Sequence, residues 1–487
     1  MASNSNDNLK KSAFGGMLWK FSERLCAQLV SMVVSIYLAR LLMPEDYSLV
    51  GIVAIFFTFC NVFISGGLNN ALIQKKDADV LDYSTGLFLN IGVASVLYLI
   101  IFLAAPWIAR LYDKEILISL FRIMGLTFFV NAVKSVLSAY ISSNLQFRKF
   151  FFSTIIGTAV SAVVGITMAL KGYGVWALVA QEMTNSFLDT AILLITTRMK
   201  IILRFSAERM ARLFRYGWKI LASSLISVIY DQINPLIVGL RFSAVDLAYY
   251  TKGNSFPSLI NATISDSLAA VLFPVMAKVQ DSREEVLLIT RKYVQLASFV
   301  IFPVMIGFAA VAESFVEVLL TRKWIAAVPY IRIFCISYMF NLIHVGNLQA
   351  MRAIGRSDIT LILEVIKKGI NFAIIGLFVF LSDDPETLAM STLVCTLVAT
   401  VVNAYPNTKL IGYSFGRLLA DILPNLLIAG IMGAAVMAVG MLQLSAFVLL
   451  PLQILAGVAV YVLLSLLTRN ENFQYLLGII LQLLGKG

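Results

Sequence analysis

The chain has 487 residues, of which 60% are hydrophobic and only 13% charged, with a formal net charge of +11. Soluble globular proteins carry roughly 25% charged residues, and a mean hydropathy of +0.87 leaves too little polar surface to cover a soluble body of this size. An ordinary cytosolic enzyme, a disordered scaffold and a secreted disulfide domain are excluded, and an all-α polytopic membrane protein is expected.

Residues 1–11 are polar and lack a short apolar region ending in a small-residue cleavage site. They read as a cytoplasmic tail before a retained first helix. A transmembrane helix needs about 20 mainly apolar residues. The apolar runs give about 14 such spans, at 14–38, 44–69, 84–109, 117–141, 150–170, 174–196, 217–240, 248–276, 292–319, 326–351, 359–381, 387–408, 418–441 and 445–467. These runs exceed the roughly 10 residues of a barrel strand. The basic stretch Thr197–Tyr216 follows the sixth span. Ser206 can cap a short helix there, with Met210, Leu213 and Phe214 as an apolar stripe beside Arg209 and Arg212. Ser282, three residues before Glu285, starts the helix leading into the ninth span. The four cysteines lie in apolar runs without a CxxC and only one histidine exists, so no metal site is expected.

With a cytoplasmic N-terminus, 21 lysines and arginines fall on inner segments and 7 on outer ones. Both termini are therefore expected inside. The net positive charge is accounted for by anionic inner-leaflet lipid, without nucleic acid.

The chain also repeats itself. Trp19-Lys20 and Trp218-Lys219 open the first and seventh spans, and Asp46 and Asp246 precede the second and eighth. Arg122-Ile123, Asn131 and Lys134 of the fourth span match Arg332-Ile333, Asn341 and His344 of the tenth at a constant offset of 210. Two six-helix lobes around a central cavity, plus two extra C-terminal helices, are expected. The division is 1–196 for the first lobe, 197–216 for a cytoplasmic amphipathic linker, 217–408 for the second lobe, and 409–487 for spans 13–14 and a tail.

Several motifs resemble a known family over nearly the whole chain. They are Leu38-Ala39-Arg40-Leu41-Leu42 running into Pro44-Glu45-Asp46-Tyr47, Ala71-Leu72-Ile73-Gln74, Gly172-Tyr173-Gly174-Val175-Trp176, Ala248-Tyr249-Tyr250, Leu272-Phe273-Pro274-Val275 and Ala353-Ile354-Gly355-Arg356. The chain is similar to Wzx-like lipid-linked oligosaccharide flippases, the polysaccharide-transporter branch of the multidrug/oligosaccharidyl-lipid/polysaccharide (MOP) superfamily. That resemblance implies the bacterial inner membrane and passage of an undecaprenyl-diphosphate-linked glycan, an O-antigen, capsule or exopolysaccharide repeat unit, to the outer leaflet. Its motifs define no catalytic set, and no site residue is carried over from them.

Charges within spans cost about 2.5–3.5 kcal/mol each, so those retained are expected to face the bundle interior or water. A diphosphate headgroup needs paired cations as it leaves bulk water. Lys134, deep in its span, is the first candidate for the cavity, followed by Arg24, Lys252, Lys219 and Lys20. Interfacial anchoring is the plainer account of Lys20 and Lys219, as pairing with Glu364 is for Lys367 and Lys368. Glu182, Asn185 and Asp189 share one helical face, as do Asp231 and Asn234. Glu182, Asp189 and Asp231 are candidates for binding a coupling proton or sodium ion, against simple helix–helix hydrogen bonding. For Glu313 and Glu317, pairing with Arg322 or Lys323 is the plainer reading. His344, at the repeat position of Lys134, either titrates near neutral pH or bonds to Asn341 or Asn347.

The expected outer connections are only a few residues long, too short for a catalytic loop, and no phosphate-binding loop occurs, so no enzyme activity and no cofactor are expected. A cation-coupled multidrug exporter of the same superfamily is the alternative, but it favours an anionic, aromatic cavity. Expected partners are the lipid-linked glycan, anionic inner-leaflet lipids and other polysaccharide-assembly proteins, with the chain itself a monomer.

Overall fold

A computed structural model describes the backbone of residues 2–65, 67–75 and 77–483. Side chains of residues 1–18, 20, 21, 66, 76, 266, 267, 269–271, 273, 274, 277 and 479–487 are outside the described set, Lys20 among them. The described residues are helical with no strand, and they divide into two compact units, Met1–Ala248 and Tyr249–Gly487.

The first unit holds α1 (Ala2–Leu41), α2 (Pro44–Ser65), α3 (Leu68–Gln74), α4 (Val80–Leu111), α5 (Ile116–Met124), α6 (Thr127–Ser143), α7 (Arg148–Leu170), α8 (Val175–Thr197) and α9 (Ala207–Arg241). Helix α7 packs on both α1 and α8. The reason is a ladder of small residues, since Ser153, Gly157, Ser161, Gly165 and Ala169 recur every fourth position and are all buried. Such a stripe lets helix backbones approach closely where no hydrophobic force acts between them. A Cβ on Gly165 would lie 2.9 Å from Gln181 Cβ, and one on Gly157 would lie 3.2 Å from Asn185 Oδ1.

The expected fourth span holds as one apolar stretch, Ile116–Ser143, with a turn at Gly125-Leu126 between α5 and α6. One expectation changes in this unit. The expected short linker helix is instead the first part of α9, a continuous helix of 35 residues and about 52 Å at 1.5 Å per residue. Ser206 caps it, accepting from the Arg209 amide at 3.4 Å. The linker docks on the start of α4, where Asp79 and Asp82 form a capping box. Arg209 pairs with Asp79 and lies 3.2 Å from Asp82, Lys75 reaches Asp82 at 2.5 Å, and the Ile202 amide donates to Ser84 Oγ at 2.9 Å. Partial burial by itself raises the Asp79 carboxyl, but hydrogen bonds from the Asp82 amide and Arg209 outweigh it and hold the group at about 2. Helix α9 then crosses α3 at Gly67 and Gly217, where a Cβ on Gly67 would sit 2.4 Å from the Gly217 carbonyl oxygen. The compact-unit boundary therefore falls after α9, whereas the sequence repeat divides the chain at the linker.

Helix α10 (Ala244–Ala277) begins at the end of the first unit and continues into the second. There follow α11 (Arg283–Phe315), a π turn at Val316–Leu320, a 3-10 turn at Arg322–Ala327, α12 (Val328–Tyr338), α13 (Asn341–Ala353), α14 (Ser357–Leu381), α15 (Pro385–Leu410), α16 (Phe415–Gly440), α17 (Ala446–Leu467) and α18 (Glu471–Leu483). Helix α11 is the hub, packing on α12, α13, α16, α17 and α18. Phe302 on α11 and Phe334 on α12 are fully buried in its core, with Trp324 of the 3-10 turn.

Among the described residues, 11 helical stretches are long and apolar enough to cross a membrane, against the 14 expected. The runs at 174–196, 248–276 and 359–381 do form helices, α8, α10 and α14, but none of the three is among the 11. Glu182 and Asp189 lie on α8, and Glu364, Lys367 and Lys368 on α14, so polar candidates interrupt those two runs. In α10 several side chains lie outside the described set.

Candidate transport site

Of the residues singled out in the sequence, the structure brings Lys134, Asp189 and Glu182 together. The ammonium of Lys134 on α6 lies 2.6 Å from Asp189 Oδ2 on α8. Asp189 is fixed from behind, because the small-residue face of α7 presses Gly157 against Asn185 and Asp189. Its side chain is 8% exposed while that of Lys134 is 39% exposed, so the pair has a buried anion and an accessible cation. Asp189 Oδ1 is buried without a hydrogen-bond partner. Glu182, two turns earlier on α8, lies within Coulombic range of the same ammonium. One turn before Lys134, Asn131 Nδ2 donates to Asn61 Oδ1 of α2 at 3.0 Å, tying α6 to α2.

The second unit repeats this arrangement with other chemistry. Asn341 Nδ2 on α13 donates to Asn261 Oδ1 of α10 at 3.3 Å. His344, the repeat partner of Lys134, lies with Nε2 2.7 Å from Thr400 Oγ1 on α15. Neither Asn341 nor Asn347 is its partner in that bond; Asn347 is instead bonded to Asn407 at 2.8 Å. The partners Asn61, Asn261 and Thr400 were missed in the sequence, whereas Asp189 was singled out there without its link to Lys134. The 200- and 210-residue offsets already contained the first two, since Asn61 and Asn261 differ by 200 like Asp46 and Asp246.

The remaining candidates are dispersed. Lys252 is 6% exposed and stands over the rings of Trp324 and Phe256 at 5.6 and 5.9 Å. Arg24 on α1, and Lys219 and Asp231 on α9, are exposed. Beside Arg24, Glu23 is buried and accepts from Thr154 Oγ1 of α7 at 3.2 Å. Several plainer readings are observed directly, with Lys367 2.6 Å from Glu364 and Arg322 2.7 Å from Glu317. Glu313 pairs with Arg332 at 3.7 Å and not with its nearer neighbours in sequence. Arg122 lies 4.1 Å over the Phe102 ring. A further ion pair unmarked in the sequence reading joins Arg291 to Asp421 of α16 at 2.8 Å, with Gln295 and Tyr413 also bonded to Asp421.

The two most specific motifs meet in the first unit. Gly174 holds a positive φ of 53°, and a Cβ there would lie 3.0 Å from Asp46 Oδ1. Asp46 Oδ2 in turn accepts from the Met43 amide at 3.1 Å, as Asp246 accepts from the Ser243 amide at 3.0 Å.

This helical architecture is the MOP transporter fold. The lipid II flippase MurJ in its inward closed conformation matches 93% of this chain and 99% of its own, at 15% identity and a TM-score of 0.75. Residues 37–329 match the profile of the polysaccharide biosynthesis protein family, and the chain belongs to that family. It is 26% identical over 301 residues to the succinoglycan biosynthesis transport protein ExoT of Rhizobium meliloti (strain 1021), covering 62% of this chain and 61% of that protein. It is 23% identical over 368 residues to the lipopolysaccharide biosynthesis protein WzxC of Escherichia coli (strain K12), covering 74% of each. The match thus spans about three fifths of the length of ExoT.

Proposed function

We propose that the chain moves a lipid-linked oligosaccharide with an anionic diphosphate headgroup from the inner to the outer leaflet of a bacterial inner membrane by alternating access. The observation carrying this reading is Lys134, its side chain partly exposed, seated on a buried carboxylate. Asp189 pairs the lysine within the membrane, yet leaves part of its side chain open to a second anion. The names of ExoT, WzxC and MurJ support a glycan-bearing lipid as that anion's carrier. Fourteen spans, two six-helix repeats and cytoplasmic termini belong to the same proposal.

The pair also offers a coupling step. Asp189 and the headgroup compete for Lys134, so a proton or sodium ion taken up by Asp189 or Glu182 releases the ammonium for substrate. Arg24, Lys219 and Lys20 remain further candidates for contacting the headgroup, and Asp231 for the coupling ion, away from this pair. Lys252, held among aromatic rings, serves packing.

Proteoliposomes loaded with fluorescent undecaprenyl-diphosphate oligosaccharide test the reading by leaflet exchange. Wild type is expected to equilibrate the lipid and Lys134→Ala to do so slowly at unchanged protein level. Transport of hydrophobic cations without glycolipid exchange would replace this reading with multidrug export.

A further inference from the structure

We infer that a cleft in the second unit, beside α16 and α18, binds a phospholipid whose headgroup carries a primary amine. This ligand is separate from the transported glycolipid, and the inference does not rest on the function proposed for Lys134.

The cleft has a volume of about 770 Å³, within the roughly 300–1,000 Å³ of sites that take small amphiphilic ligands. Its wall is apolar along one stripe of α16. Leu423, Leu427 and Ile431 follow at i, i+4 and i+8, are 50%, 57% and 55% exposed, and line the cleft with Leu464 of α17. That is the surface an acyl chain covers.

The other end is polar and built. The turn from α17 to α18 is held by Asn470, whose Oδ1 accepts from the Asn472 and Phe473 amides at 2.9 and 3.3 Å. Its Nδ2 donates to Asn425 Oδ1 at 3.1 Å, so Asn470 has no capacity left for a ligand donor. Asn472 differs. It lines the cleft, is 8% exposed, and its Oδ1 is buried with no partner. A buried amide oxygen left unmet is destabilising, and a donor from a ligand relieves it. Flanking it, Glu471 and Arg469 also line the cleft and are exposed. An amide oxygen and a carboxylate together fit an ammonium, and the guanidinium fits the phosphate attached to it. A tail, a phosphate and an amine in that order describe a phosphatidylethanolamine-type lipid. A glycerol headgroup brings no charge for Glu471.

The test uses the full chain in detergent with phosphatidylethanolamine, phosphatidylglycerol or undecaprenyl phosphate added separately, and bound lipid counted by native mass spectrometry. Wild type is expected to retain phosphatidylethanolamine over phosphatidylglycerol by about tenfold. Asn472→Leu, close in volume, is expected to bring that ratio near one. Leu427→Trp fills the cleft from an exposed position and is expected to remove retention of both. Leu455→Trp, on an exposed part of α17 outside the cleft, is expected to leave the wild-type ratio. Equal retention of the two phospholipids by wild type would overturn the inference, as would unchanged retention in Leu427→Trp. Displacement of phosphatidylethanolamine by undecaprenyl phosphate would assign the cleft to the transported lipid instead.

Discussion

On α6, Lys134 pairs with Asp189 of α8 at 2.6 Å, while at the equivalent position of α13 His344 bonds to Thr400 of α15 at 2.7 Å. One turn earlier both helices carry an asparagine that donates to an asparagine two spans back, Asn131 to Asn61 and Asn341 to Asn261. The two repeats thus share the neutral cross-helix contacts that hold the helices in register. They differ where a charge is worth having. At this matched position the first unit carries an ion pair and the second a neutral hydrogen bond, while the second unit places its own pair of partly exposed cation and buried anion, Arg291 and Asp421, elsewhere.

The comparison breaks most sharply when the second repeat is given the first one's charge. His344→Lys alone is expected to destabilise the protein by about 2.5–3.5 kcal/mol, the cost of an unpaired intramembrane charge. Adding Thr400→Asp should recover most of that loss in a thermal-melt series. Next in size, Lys134→Ala is expected to slow glycolipid exchange by about tenfold or more, the scale of one lost charge-assisted hydrogen bond. His344→Gln, which can still bond to Thr400, should change exchange by less than about twofold. A flattened transport profile between about pH 5.5 and 7.5 in that variant would assign a titrating role to His344 after all. Smaller still are the asparagine contacts. Double-mutant cycles on Asn61/Asn131 and on Asn261/Asn341 should each give a coupling of about 0.6 kcal/mol, equal in the two repeats. Unequal values would show that the shared contacts have diverged as well.

The smallest expected effect concerns the linker, which joins the repeats. Asp79 is held at about 2 in the folded protein, below the roughly 3.9 of an unperturbed aspartate. A depressed carboxyl stabilises fully above the unfolded value, so the contribution is complete above about pH 4 and is lost as pH falls toward 2. Hydrogen exchange at the Ile202 amide, bonded to Ser84, should quicken across that window. Arg209→Ala should shrink that pH-dependent change, because it narrows the gap between folded and unfolded values, and an unchanged amplitude would remove Arg209 from the clip.

Sequence by itself determined that this is a helical multi-pass membrane protein, because apolar runs of span length have no other stable solution in lipid. It also gave the caps at Ser206 and Ser282 and the pairing of Asn131 with Asn341 across the repeat, since helix signals are local and a duplicated chain carries its offset in the numbering. The family motifs were likewise legible, as was the stripe of small residues on α7, had its four-residue period been sought. Only the tertiary structure decided that Lys134 meets Asp189, and that His344 meets Thr400, because partners 55 or more residues apart are chosen by helix packing. Packing also joined the linker to α9 as one helix and put the unit boundary after it. Gly67 and Gly217 let two backbones touch there, and a close approach between distant segments leaves no periodic mark in either.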